Sequence, residues 1–157
     1  MKKWIYLVLV LVLASCEADF QTWKDLNTNW MVQNKAQHAT ANDLKILPSG
    51  LQYESFHDGY GAIPKPTNSY VQVTYTAKLI DGTVCDSGSE KWLKVSDLIS
   101  GWQEALCMMR QGSHWKIYVP YTMAYGVDGS KKTGGNFHIP PYSTMIFDIE
   151  LNDVLNY

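Results

Sequence analysis

The sequence predicts an α+β fold, in which an antiparallel β-sheet wraps onto one central helix. Segments near residues 71–79, 115–119 and 145–151 alternate apolar and polar side chains, which is the pattern of strands with one buried face. Residues 101–112 instead carry apolar side chains at helical spacing. One helix among several alternating strands indicates the α+β class. A short N-terminal helix is predicted to precede this domain.

The first residues have the pattern of an export signal. Lys2 and Lys3 precede an unbroken apolar run over residues 4–13. A run of this length is too short for a membrane-spanning helix, which needs about 20 residues, and it fits the apolar part of a secretory signal. Small residues then lead to a cysteine in the tetrapeptide Leu13-Ala14-Ser15-Cys16.

This tetrapeptide resembles the lipobox of bacterial lipoproteins. The resemblance implies that residues 1–15 are a signal peptide, cleaved before Cys16, and that Cys16 carries lipid on its sulfur and amine. An ordinary signal peptide followed by an incidental cysteine is the alternative. Glu17, rather than aspartate, follows the cysteine. The resemblance therefore does not invoke the inner-membrane retention signal, and it favours a protein anchored in the bacterial outer membrane, facing the periplasm or the surface.

Composition excludes several classes of partner. The chain of 157 residues has 13 basic and 15 acidic residues, a net charge of -2, so nothing indicates nucleic-acid binding. The same balance argues against a polybasic membrane surface, so that lipid alone would hold the protein at a membrane. Cys85 and Cys107 could pair in an exported protein, but two buried free thiols are the preferred interpretation. Neither lies in a CxxC motif, and no metal site or cofactor is predicted.

Residues 16–46 are predicted to hold the lipid anchor, a short helix and a linker. Trp23, Leu26 and Trp30 recur at helical spacing. The helix could dock on the following domain, serve as a spacer, or support weak self-association. Residues 38–43 are small and polar and are predicted to be a linker. The folded domain is then expected over residues 47–157.

The strands of this domain follow in order. A short strand begins at residues 51–53, and glycines and prolines over residues 59–66 indicate an irregular connection. Alternation over residues 71–79 predicts a half-buried strand, and Asp81-Gly82 is a strong hairpin signal before the return strand at Val84 and Cys85.

The helix is predicted to begin at Gly101 and to end at Gly112. Ser100 and Gln103 have the spacing of a capping box, and Trp102, Leu106 and Met109 share one face. Two alternating strands follow, over residues 115–119 and 145–151.

Several separated motifs point to one family. They are the strand Val73-Thr74-Tyr75-Thr76, the turn over residues 81–87, Gly101-Trp102, Tyr125-Gly126, Ile139-Pro140-Pro141 and Phe147-Asp148-Ile149-Glu150-Leu151. In this order they resemble the FKBP family of peptidyl-prolyl cis-trans isomerases, from about Leu47 to Val154. The resemblance implies an FKBP-like sheet wrapped around the central helix and a hollow that binds a proline ring.

The resemblance also implies a role for each residue of that hollow. Trp102 is the expected floor, Ile139 closes the rim, and the hydroxyl of Tyr125 and the N–H of Ile99 hydrogen-bond substrate carbonyls. Asp86 is expected to orient Tyr75. The expected walls and substrate contacts are Tyr75, Cys85, Leu98, Ile99 and Phe147.

The implied function is peptidyl-prolyl cis-trans isomerisation, with proline-containing polypeptides among exported or envelope proteins as substrates. Cys85 departs from the family pattern, which usually has phenylalanine there, and Trp92 or Leu93 is the nearest match to a second expected aromatic. The alternative is therefore a catalytically weak FKBP-like module that binds peptides or acts as a chaperone. Gly134-Gly135 and polar neighbours predict a mobile flap over residues 131–137.

Overall fold

A six-stranded antiparallel sheet is the framework of the domain. In the order in which they pair, its strands are β1, β2, β5, β8, β3 and β4. Their bounds are Leu44–Ile46 (β1), Gln52–His57 (β2), Ser69–Lys78 (β3), Val84–Lys94 (β4), His114–Val119 (β5) and Met145–Asn156 (β8). Two short strands, β6 (Ser130–Lys131) and β7 (His138–Ile139), form a separate ribbon.

Two helices accompany the sheet in the computed structural model, which describes residues 21–38, 43–131 and 138–157. Helix α1 covers residues 21–37, and α2 is Ser100–Leu106. Single 3₁₀ turns occur at Val95–Asp97 and Tyr121–Met123. The predicted α+β class, with an antiparallel sheet around a central helix, is confirmed. The signal peptide, Cys16 and residues 132–137 of the predicted flap lie outside the described residues.

The core lies between α2 and one face of the sheet. The residues that alternate along β3, β5 and β8 are buried on this face, as predicted, because every second side chain of a strand points to the same side. Trp102, Leu106 and Met109 of the α2 segment pack against them. Burial of these apolar side chains is the main stabilising contribution to the domain.

The helix boundaries differ from those predicted. No side chain caps α2, because Ser100 donates to the Met123 carbonyl and Gln103 donates to the Leu98 carbonyl instead. The helix ends at Leu106, and the residues up to Gly112 form turns. The predicted capping box and C-terminal boundary were therefore wrong, because both side chains bond to other carbonyls and the chain turns after Leu106.

Helix α1 docks on the domain, as one of the three alternatives proposed. Trp23 packs against the core, and the Trp30 ring lies 5.5 Å from that of Tyr118. Leu26 is exposed, whereas two asparagines that the sequence did not single out, Asn27 and Asn34, are buried. In the part of the chain that the structure describes, no helix has the length and apolarity needed to cross a bilayer.

Candidate functional site

A hollow of about 280 Å³ opens where the N-terminus of α2 meets β3, β4 and β8. All nine residues predicted to form the pocket line it, so the structure brings together residues from six separate stretches of the chain. The complete lining is Tyr75, Ala77, Cys85, Asp86, Leu93, Asp97, Leu98, Ile99, Trp102, Tyr125, Ile139, Met145 and Phe147.

The floor of the hollow is an indole ring held on both sides. Trp102 is only 4% exposed, and its ring meets those of Tyr75 and Phe147 at 88°, with centroids 5.2 Å and 5.3 Å away. Edge-to-face contacts of this kind stabilise a pair of rings by about 0.5–1.5 kcal/mol beyond area burial. The three rings therefore form a preorganised apolar surface.

A glycine beside Trp102 brings α2 close to the sheet. A Cβ atom built on Gly101 would lie 2.4 Å from Cγ1 of Val119 on β5. No larger residue fits between the helix and this strand without movement. Gly101 therefore fixes how deeply the indole is seated.

Tyr75 is oriented by a carboxylate. Its hydroxyl donates a hydrogen bond of 2.9 Å to Oδ2 of Asp86, whose Oδ1 accepts from the Ser87 N–H at 3.0 Å. Burial, and then the hydrogen bond to Asp86, raise the pKa of Tyr75. A Cβ atom on Gly88 would lie 2.7 Å from Cε1 of Tyr75, so the adjacent strand also needs a glycine there.

Two hydrogen-bond donors at the hollow are available to a ligand. Among the described residues, neither the Tyr125 hydroxyl nor the Ile99 N–H has a hydrogen-bond partner, although both residues line the cavity. Burial, and then the charge of Asp86, raise the pKa of Tyr125, so its hydroxyl keeps its proton. Each donor can therefore hydrogen-bond to an acceptor oxygen of a ligand.

The side of the hollow near β4 has no aromatic residue. Cys85 is buried, and its thiol lies 3.6 Å from the Thr83 carbonyl oxygen. Burial, followed by the charge of Asp81, raises the pKa of Cys85, so the thiol is poorly suited to act as a nucleophile. Leu93 lines the cavity, whereas Trp92 is 44% exposed and does not.

Four lining residues were not in the predicted set, although Leu93 had been named as a possible match. Ala77 follows Tyr75 by two residues on β3, and Met145 precedes Phe147 by two on β8, so the period of a strand could have identified both. Asp97 lies in a 3₁₀ turn that no sequence pattern indicated.

A second cavity and a cluster of possible metal ligands lie elsewhere in the part of the chain that the structure describes. A cavity of about 490 Å³ includes Asp58, Arg110 and Trp115, and the Trp115 indole N–H already donates a hydrogen bond of 3.2 Å to Asp58. His38, Asp43 and Glu54 bring possible metal ligands within 4.8 Å of one another. Hydrogen bonds from His38 to Asp43 and from Tyr118 to Glu54 account for that cluster without an ion.

The chain is similar to known proteins in sequence and in fold. The family description of FKBP-type peptidyl-prolyl cis-trans isomerases matches residues 61–152, more than half of the chain. The chain is 41% identical over 123 residues to the 22 kDa FKBP-type peptidyl-prolyl cis-trans isomerase of Escherichia coli. It is 45% identical over 113 residues to the outer membrane protein MIP of Legionella longbeachae.

The alignments cover a larger share of this chain than of the two relatives. The two alignments cover 76% and 69% of this chain but 57% and 46% of those relatives, so the chain spans about half of their length. The crystal structure of FkpA from Escherichia coli superposes with a TM-score of 0.81 at 28% identity, covering 99% of this chain and 71% of FkpA. By sequence and by fold, this chain belongs to the FKBP-type peptidyl-prolyl cis-trans isomerase family.

Proposed function

We propose that the protein catalyses cis–trans isomerisation of X–Pro bonds. The observation that carries the proposal is the Trp102 floor, clamped at right angles by Tyr75 and Phe147, with two free donors beside it. A proline ring is small, apolar and nearly flat, and it matches a hollow of about 280 Å³.

The chemistry needs no nucleophile, because no covalent bond of the peptide breaks. Amide resonance holds the X–Pro bond planar, with a barrier of about 18–20 kcal/mol. The planar imide is more polar than the twisted one, so an apolar pocket disfavours the planar ground state relative to the transition state. Catalysis is then differential binding of the twisted form.

The two donors would hold the chain on either side of the twisting bond. The Ile99 N–H and the Tyr125 hydroxyl lie on different elements, so they can fix two carbonyls while the bond between them rotates. The Tyr75 ring is held in the pocket wall, because its hydroxyl donates a hydrogen bond to Asp86. These contacts would orient the peptide for rotation about the X–Pro bond. The entropy lost in orienting it would be offset by the free energy of peptide binding.

A second candidate function is a peptide-binding or chaperone module with weak catalysis. Cys85 favours it, because the family resemblance leads one to expect an aromatic ring at this position. Leu93 lines the hollow but adds no ring. The floor and both clamping rings are nevertheless present, which favours the isomerase.

We further propose that the substrates are proline-containing polypeptides of the cell envelope. The support is the signal-like sequence before Cys16 and the name of the Legionella longbeachae relative, an outer membrane protein. Lipid on Cys16 would keep the domain close to newly exported chains, and several acyl chains would make that anchoring stable.

A peptide titration followed by NMR separates the candidates. With a proline tetrapeptide, the isomerase predicts shifts at the Ile99 N–H and the Trp102 indole N–H, together with faster cis–trans exchange of the peptide. A matched peptide with alanine in place of proline should leave both signals unchanged. Binding without faster exchange supports the second candidate, and no binding contradicts both.

A further inference from the structure

The rim of the hollow is carried by a short loop, residues 139–145. Its end residues, Ile139 and Met145, both line the cavity and are buried. The residues between them belong to no strand, and Tyr142 has a φ of 61°. Sheet pairing fixes the two ends of this rim loop, since Ile139 pairs with Ser130 and Met145 pairs with Val119. Other contacts must hold the residues between them, and one is a hydrogen bond of 3.0 Å from the Tyr142 N–H to the Gly126 carbonyl.

Trp23 of α1 reaches the first half of the rim loop. Its indole N–H donates a hydrogen bond of 3.1 Å to Oγ of Ser143. The Ser143 hydroxyl in turn donates to the Pro140 carbonyl at 2.7 Å. This relay of two hydrogen bonds ties the helix to the residue that follows Ile139.

Asn27, one turn further along α1, holds the second half. Its Oδ1 accepts the Thr144 N–H at 2.7 Å, and its Nδ2 donates to the Trp23 carbonyl at 2.8 Å. Asn27 and Thr144 are 0% and 1% exposed. If Asn27 were lost while α1 stayed docked, a buried N–H next to Met145 would have no partner, which is costly.

A separate set of contacts docks the same helix elsewhere. Asn34 donates to Oε1 of Gln52 at 2.9 Å, and the Trp30 ring packs on Tyr118. These partners lie on β2 and β5, and neither lines the hollow. The helix therefore carries two matched pairs of residues, Trp23 with Asn27 at the rim loop and Trp30 with Asn34 on the sheet.

We propose that α1 is a working part of the substrate-binding site, with Trp23 and Asn27 as positioning residues for the pocket rim. This role presupposes the isomerase function proposed above. Loss of either contact leaves the Trp102 floor and the free donors in place but loosens the rim. The expected result is weaker peptide binding with little change in turnover of the bound peptide.

The matched pairs allow a controlled test in the full chain. We expect Trp23→Phe and Asn27→Ala to raise KM for a proline tetrapeptide about fivefold each, the effect of one lost hydrogen bond, with kcat within about twofold. Trp30→Phe and Asn34→Ala should lower thermal stability to a similar degree while leaving KM unchanged. Ser143→Ala, which removes the shared hydroxyl, should reproduce the effect of Trp23→Phe.

Hydrogen exchange gives a readout that does not depend on activity. Exchange of the Thr144 N–H should speed up in Asn27→Ala and stay slow in Asn34→Ala. If the wild-type protein were inactive and exchange of the Thr144 N–H still sped up in Asn27→Ala, the rim contact would be supported and the isomerase function refuted. The positioning role is overturned if all four α1 variants change KM alike, or if Asn27→Ala leaves both KM and Thr144 exchange unchanged.

Discussion

At the scale of single residues, the hollow depends on contacts between side chains that are distant in sequence. Trp102 is held by Tyr75 and Phe147, and Tyr75 is held by Asp86. Each of these contacts joins different elements, so the geometry of the floor follows from the sheet and the helix together. At Cys85 a smaller side chain replaces an expected ring, and Leu93 lines the hollow where a second aromatic residue was expected.

Replacing Cys85 with phenylalanine tests the effect of that missing ring. An added aromatic contact is worth on the order of 1 kcal/mol, so Cys85→Phe should raise kcat/KM several-fold. Leu93 already lines the same cavity, and crowding against it would limit the gain. The assay is isomerisation of a proline tetrapeptide, with Cys107→Ala as a control that leaves the pocket lining unchanged. A fall in kcat/KM without loss of stability would show that the pocket has no space for a ring beside Cys85, and would contradict the prediction.

The pH profile of activity tests the hydroxyl donors. Burial raises the pKa of both Tyr75 and Tyr125, so each hydroxyl stays protonated beyond the ordinary tyrosine value of about 10. Activity should therefore show no loss from neutral pH up to about 10 while the protein remains folded. A decline well below that value, absent in Tyr125→Phe, would mean that Tyr125 ionises early and that its environment is misassigned.

Sequence motifs predicted the pocket residues better than the contacts around them. The family resemblance carried by several separated motifs was enough to select Trp102, Tyr75 and Phe147. The rim contacts of Asn27 were not predictable, because a buried polar residue has no apolar periodicity to reveal it. Asp97 was missed for another reason, since it is exposed in a 3₁₀ turn that no sequence pattern indicated. The partner of Asn27 is 117 residues away along the chain.

At the scale of elements, the site depends on how closely α2 approaches β5. The N-terminus of this helix carries Trp102, and Gly101 permits the contact with Val119. Local patterns predicted the helix correctly but placed its end at Gly112, whereas it ends at Leu106. The expected cap is absent, because Gln103 donates to the Leu98 carbonyl five residues earlier and Ser100 donates to the Met123 carbonyl 23 residues later.

A compensating pair of substitutions tests this approach. Gly101→Ala places a methyl group against Val119 and should destabilise the domain by about 1–3 kcal/mol, the usual cost of overpacking. Val119→Ala alone should destabilise it by leaving a void. The double variant should be more stable than the sum of the two single effects, as measured by denaturant unfolding. Simple additivity would show that the two residues do not compete for the same space.

At the scale of the whole molecule, the sheet and helix α1 differ in how well the sequence predicted them. The alternation of apolar residues predicted the strands of the sheet, because a strand with one buried face has a period of two. Strand β1 was missed, since its three residues are too few to show a period. The docking of α1 was one of three alternatives for this helix. Apolar spacing alone could not select it, because part of the docking is made by polar contacts with the rim loop.

Membrane attachment through Cys16 is a further prediction at this scale. Lipid on Cys16 should place the mature protein in the membrane fraction of cells that express the full chain. Cys16→Ala should release it, because one residue carries the anchor. Cys107→Ala is the matched control, since that thiol lies within the folded domain. A Cys16→Ala protein that stays with the membranes would contradict lipid anchoring at this position.

The central claim is that the hollow around Trp102 catalyses proline isomerisation. Its most direct measurement is the cis–trans exchange rate of a proline tetrapeptide with wild-type protein, with Asp86→Ala and with Asp153→Ala, whose carboxylate is outside the hollow. The account predicts clear acceleration by wild type and Asp153→Ala, and a rate about tenfold lower for a folded Asp86→Ala, as expected when one oriented hydrogen bond to a charge is lost. No acceleration by the wild-type protein, or equal rates for wild type and Asp86→Ala, would contradict it.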